Sequence, residues 1–126
     1  MIVKNKKVLV TGGAGFVGSH MCDLLISKGA KVFCVDNLST GKIDNVRHLR
    51  SNPSFNFFKT NVNDFRALEK VFKRTKPDYV MHYAAVVAVN TNTKYPLEQK
   101  NDVEGIRGVA ELSLKYKIKK ILFSSS

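Results

Sequence analysis

The chain has 126 residues, 44% of them hydrophobic, and its 21 Lys and Arg against 10 Asp and Glu give a net charge of +11. That length suits one domain, and a globular chain near it buries about two thirds of its unfolded surface, which excludes disorder as the main reading. Cys22 and Cys34 stand alone, with no Cys-x-x-Cys and no histidine cluster beside them, so a disulfide scaffold and a metal site lack support and two buried, reduced thiols are expected.

Met1-Ile2-Val3-Lys4-Asn5-Lys6-Lys7 leads straight into a short apolar run that meets glycine by Gly12. This leaves no room for a signal peptide or a spanning helix, so no membrane partner is expected and the cytoplasm is the expected compartment. The lysines are spread along the chain, the densest groups being Lys4, Lys6 and Lys7, and then Lys115, Lys117, Lys119 and Lys120. Without a zinc finger, an aromatic RNA-binding pattern or a helix-turn-helix, this reads as a solvated basic surface with no nucleic-acid partner.

Lys7-Val8-Leu9-Val10-Thr11 predicts a buried strand, closed by a glycine-rich turn over residues 12–18. A helix follows, with Val17, Met21, Leu24 and Leu25 at helical spacing and Lys28-Gly29 as its stop. Residues 31–36 form a second apolar strand that ends in Asp36, and residues 37–52 are polar, with a short helix expected over 44–49. Residues 55–59 predict a third strand, and 64–74 a helix capped by Asp64 with Phe65, Leu68, Val71 and Phe72 on one face. Lys76-Pro77-Asp78 turns the chain into a fourth strand over 79–82. A long helix runs from Pro96 to about Tyr116, with Val103, Ile106, Val109, Ala110, Leu112 and Leu114, and residues 120–123 give a fifth strand. Strictly alternating strands and helices imply an α/β fold of the Rossmann type, a doubly wound parallel sheet of about five strands with helices on both faces. No linker or repeat divides the chain, so residues 1–126 are expected to be one Rossmann-type domain.

Gly12-x-x-Gly15-x-x-Gly18 lies between a predicted strand and a predicted helix, the context that gives such a pattern its meaning. Gly12 and Gly13 suit a tight turn, Gly15 close approach of a pyrophosphate, and Gly18 close packing of helix on strand. A P-loop is excluded because Ser19-His20 stands where Lys-Ser/Thr is required. Asp36, 18 residues beyond Gly18, matches the acid that receives the adenosine ribose and disfavours a 2′-phosphate, so NAD is expected over NADP. The alternative is that Asp36 only caps the strand end and bonds the turn after it.

Taken together, residues 10–20 and Asp36-Asn37-Leu38-Ser39-Thr40-Gly41 resemble the extended short-chain dehydrogenases/reductases, specifically the NAD-dependent nucleotide-sugar epimerases and dehydratases. The likeness continues through His82-Tyr83-Ala84-Ala85, Pro96, Asn101 and Phe123-Ser124-Ser125-Ser126, and within the family it is nearest to the UDP-glucose 4-epimerases. It implies that Phe16 and Val17 lie at the pyrophosphate and that residues 36–41 surround the adenosine. Asn61 and Val62 stand at the adenine, where the family usually has Asp and an aliphatic residue. Tyr83, Ala84, Ala85 and Val87 would line the nicotinamide side, with Asn101 supporting that loop. Ser126 would be the catalytic serine that bonds the substrate hydroxyl undergoing oxidation.

Val87 replaces a frequent lysine and Ile106 a frequent threonine, departures that touch the substrate side. The resemblance further implies a Tyr-x-x-x-Lys pair after the serine strand, where the ammonium lowers the tyrosine pKa for proton transfer. Tyr116 and Lys120 have that spacing but precede the serine, and among four tyrosines and 16 lysines it arises readily by chance. The expectation is therefore the N-terminal part of a longer enzyme, inactive as these 126 residues alone. The enzyme would be a UDP-glucose 4-epimerase-like protein, homodimeric, acting on a nucleotide sugar by transient C4 oxidation. A 4,6-dehydratase, a decarboxylase or a non-catalytic NAD-binding sensor are the alternatives.

Overall fold

A computed structural model describes residues 2–84 and 96–123, with side chains described from 105 onward in the second span. Five strands, β1 (Lys7–Thr11), β2 (Lys31–Asp36), β3 (Phe55–Lys59), β4 (Tyr79–His82) and β5 (Lys120–Phe123), form one sheet in the order β3-β2-β1-β4-β5. Every pairing is parallel. Parallel neighbours need crossovers; among the described residues three of the four carry an α-helix, α1 (Phe16–Ser27), α2 (Phe65–Thr75) and α3 (Pro96–Lys115), while the connection from β2 to β3 carries only short 3-10 turns. All five strands fall where the sequence predicts them.

The two-residue period of the strands sorts the core into two layers. Val8, Val10, Val32, Cys34 and Met81 face one side and pack with Cys22 and Leu25 of α1. Leu9, Val35 and Val80 face the other, against Leu68, Val71 and Phe72 of α2 and Val109 and Leu112 of α3. Each such fully buried aliphatic side chain contributes about 1.5–3 kcal/mol, so two covered faces anchor the sheet from both sides.

Local signals set the helix ends. Asp64 caps α2 by accepting the Ala67 N–H at 3.1 Å, and α1 stops where Gly29 turns left-handed at φ +86°. Two expectations need correction. Residues 44–49 form no single helix but two 3-10 turns, Ile43–Asn45 and Arg47–Leu49, because only Val46 and Leu49, three apart, reach the core. Phe65 does not share the buried face of α2, being 39% exposed, and Ile106 and Leu114 of α3 are also exposed. No helix among the described residues is long and apolar enough to cross a membrane.

Candidate functional site

In the sheet order, β1 has β2 on one side and β4 on the other, so the chain reverses direction across the sheet there. Crossovers leave on opposite faces at such a point and open a crevice beyond the carboxyl ends of the strands. A cleft of about 460 Å³ occupies that position. It is lined by Gly12, Gly15, Phe16, Val17 and Gly18 of the glycine turn, and by Val35, Asp36, Asn37, Ser39 and Thr40 after β2. Thr60, Asn61, Val62 and Asn63 line it after β3, and Tyr83 and Ala84 after β4.

The glycines of the turn have distinct physical reasons. Gly12 has φ +68°, and a Cβ there would lie 2.7 Å from the backbone of Tyr83 and Ala84, so only glycine lets the turn pass under the end of β4. A Cβ on Gly13 would strike Cys34 Sγ at 2.5 Å, and one on Gly18 would come within 2.1 Å of the Gly12 carbonyl oxygen. Gly18 thus packs against the turn itself rather than against a strand. Gly15 differs: a Cβ there would meet only the Gly12 oxygen, at 3.3 Å, and otherwise project into open space.

That open space adjoins the first turn of α1. No side chain caps this helix, and its first turn carries no acid. Ser19 N–H bonds back to Gly15 O at 2.9 Å, which leaves the preceding N–H groups without helical partners. The exposed donors and the positive end of the helix dipole make the mouth of the turn a seat for an anion.

Asp36 is buried, bonds the turn after its strand as one of the two alternatives has it, and also faces the cleft. Its Oδ2 accepts the Ala14 N–H at 3.0 Å and its Oδ1 the Leu38 N–H at 2.7 Å, so it ties the glycine turn to the turn after β2 while still lining the cleft. Each carboxylate oxygen retains a lone pair for a ligand hydroxyl. Leu38 and Gly41 are not in the lining. Leu38 packs on the core at φ +63°, and Gly41 sits behind Asp36, where a Cβ would meet Oδ2 at 2.7 Å.

Thr11 closes the other side of the turn. Its hydroxyl oxygen accepts N–H bonds from Tyr83 and Ala84 at 3.1 and 3.2 Å, so its single hydrogen goes to His82 Nδ1, 2.7 Å away. This places the imidazole proton on Nε2, which is buried without a partner among the described residues. Burial lowers the His82 pKa to about 4, so the ring is neutral near pH 7 and serves the frame of the cleft. Burial pushes the Tyr83 phenol up from its usual range.

Of the other predicted site residues, Ala85, Val87 and Ser126 lie outside the described residues, as does the side chain of Asn101. Thr60 and Asn63 escaped the sequence reading. The available signal was position, since both follow the carboxyl end of a parallel strand. Tyr116 and Lys120 cannot act as a pair on one helix, because α3 ends at Lys115 and Lys120 opens β5. The Tyr116 hydroxyl instead donates to Glu69, and partial burial together with that carboxylate pushes the phenol up, opposite to what a proton-accepting tyrosine needs.

Comparison with known proteins adds the family. Residues 8–126 match the family described as NAD dependent epimerase/dehydratase. The UDP-glucose 4-epimerase uge1 of Schizosaccharomyces pombe is 37% identical over 122 residues, spanning 94% of this chain and 34% of that protein. The UDP-glucose 4-epimerase of Thermotoga maritima, solved with UDP-glucose, superposes with a TM-score of 0.87 at 40% identity, over 95% of this chain and 38% of that one. The Thermus thermophilus UDP-glucose 4-epimerase, solved with NAD, gives 0.87 at 34% identity, over 95% and 37%. The chain therefore spans little more than a third of the length of these relatives.

Proposed function

Because the chain belongs to the NAD dependent epimerase/dehydratase family, we propose that it is the NAD-binding part of a UDP-sugar 4-epimerase. The observation that carries this reading is the conjunction at one cleft of an open Gly15, an uncapped α1 N-terminus and a buried acid at the end of β2. The relatives named above are epimerases, which favours inversion over dehydration.

In this reading the free N–H groups at the start of α1 hold the pyrophosphate, which approaches over Gly15. Asp36 accepts from the ribose hydroxyls, its position already fixed by Ala14 and Leu38. Thr60, Asn61, Val62 and Asn63 wall the adenine end, and Tyr83 and Ala84 the nicotinamide end, joined by the expected contributions of Ala85, Val87 and Asn101. The bound dinucleotide supplies the hydride acceptor and donor that inversion at a sugar carbon requires. Ser126 bonds the reacting sugar hydroxyl, and an ionisable tyrosine with its lysine, which Tyr116 and Lys120 do not provide, moves the proton. Residues 1–126 alone accordingly bind NAD weakly and turn over no nucleotide sugar.

Titration calorimetry with NAD and NADP tests the cofactor half. Expected is a preference for NAD that shrinks about tenfold in Asp36→Asn, since a carboxylate repels the 2′-phosphate and an amide does not. Equal affinities in the unsubstituted chain would remove Asp36 from the site. A coupled UDP-galactose to UDP-glucose assay tests the other half, and turnover by these residues alone would overturn the assignment of proton transfer.

A further inference from the structure

Helix α3 carries two glycines in its interior, Gly105 and Gly108, although glycine there is less favourable than alanine. We propose that Gly105 is a positioning residue for the cleft: by letting α3 close on Val62, it sets how far that wall stands from the bound dinucleotide. The inference rests on the dinucleotide reading of the same cleft.

A helix that links parallel strands runs back against them, so the first half of α3 lies beside the carboxyl ends of the strands, where the cleft opens. Gly105, Gly108, Val109 and Leu112 follow one another at helical spacing, and all four are buried. Val109 and Leu112 pack on the sheet, while the two glycines come against the segment after β3. A Cβ on Gly105 would stand 3.1 Å from Val62 Cγ2 and 3.2 Å from Asn63 Oδ1. One on Gly108 would meet Phe65 Cδ2 and the Val62 carbonyl oxygen at 3.7 Å, an ordinary contact. Close approach therefore accounts for the glycine at 105 and not for the one at 108.

The two atoms that a methyl on residue 105 would crowd yield differently. Asn63 is exposed, and the end of its side chain can swing aside. Val62 is buried, β-branched and held between α3 and the cleft that it lines. With the helix backbone rigid behind it, Val62 must give by a few tenths of an ångström, and the side on which it can give is the cleft. The fold absorbs that shift at little cost. The dinucleotide does not, because to bind it must drive Val62 back against the new methyl, and the strain then surfaces as lost affinity.

Equilibrium titration with NAD, paired with urea unfolding, compares the unsubstituted chain with Gly105→Ala and Gly108→Ala. Both changes add the same methyl to the same helix and gain the same helical propensity. Gly105→Ala should weaken NAD binding about tenfold without lowering the urea midpoint, and Gly108→Ala should keep the affinity within about twofold. In a Val62→Ala background, which lacks the methyl carbon at 3.1 Å, Gly105→Ala should cost less than about threefold. Unchanged affinity in Gly105→Ala, equal losses in the two glycine variants, or the same loss with and without the Val62 side chain would overturn the proposal. So would a lowered urea midpoint or a failure of Gly105→Ala to fold, either of which would make Gly105 a packing residue of the core. If the unsubstituted chain binds no NAD, the cofactor reading itself falls, and this inference with it.

Discussion

The underside and the mouth of the glycine turn are built from the same residue type for opposite reasons. On the underside, Gly12, Gly13 and Gly18 are glycine because atoms already fill the space: a Cβ would fall within 3 Å of Tyr83, Cys34 or Gly12. At the mouth, Gly15 is glycine although little stands in the way. The contrast separates a packing requirement from a requirement for access. A motif gives no hint of that difference, since its three glycines look equivalent in sequence.

The largest effect should come from the underside. Gly18→Ala sets a methyl 2.1 Å from the Gly12 carbonyl oxygen, backbone against backbone, with nothing flexible to yield. It should destabilise the fold by more than about 3 kcal/mol, read from the urea midpoint, because overpacking against rigid atoms reaches or exceeds that range. A loss below about 1 kcal/mol would break the contrast.

His82, behind Thr11, gives a pH signature of the same packed region. Its folded pKa of about 4 lies below the ordinary 6.5, so only the unfolded chain binds a proton between those values. Stability is complete above pH 6.5 and falls by about 3 kcal/mol as the pH drops to 4, below which this contribution levels off. Denaturant midpoints measured across that window should show the slope, and His82→Gln should flatten it. An unchanged slope in the variant would assign the dependence to other groups.

Gly15→Val sharpens the contrast from the other side. It should weaken NAD binding about a hundredfold, about 2.7 kcal/mol, while stability shifts by less than about 1 kcal/mol and the circular dichroism spectrum is kept. A variant that binds as before would mean that the mouth serves the fold alone.

Much of this was legible beforehand, for identifiable reasons. Each strand is a short apolar run bounded by glycine, proline or charge, so residues 7–11, 31–36, 55–59, 79–82 and 120–123 announced themselves. Gly15 and Asp36 were legible because one segment carries the turn and a fixed spacing carries the acid. Thr60 and Asn63 were not, although they flank Asn61 and Val62, because the resemblance marks single positions whereas the cleft is walled by the whole stretch that follows β3. The region over 44–49 misled because Val46 and Leu49 satisfy a 3-10 turn as well as an α-helix. Phe65 misled because helical spacing does not reveal where the partner surface stops.

The two thiols beneath the turn have an electrical consequence. Cys22 and Cys34 are buried and unbridged, and the gap under Gly13 is narrow enough that an added Cβ would lie 2.5 Å from one sulfur and 3.3 Å from the other. The neighbouring Cys22 thiol, and then burial, push the Cys34 thiol far above its ordinary range. Both neighbours of the sulfur that could carry negative charge, Cys22 and Asp36, act in the same direction. Cys34 is therefore silent at physiological pH: a polarisable cushion that fills volume without adding a negative charge. A thiolate in its place would oppose any anion drawn to the start of α1 and would cancel part of the field that the helix sets up. The sulfur works here as insulation, keeping the attractive end of α1 from being quenched from below.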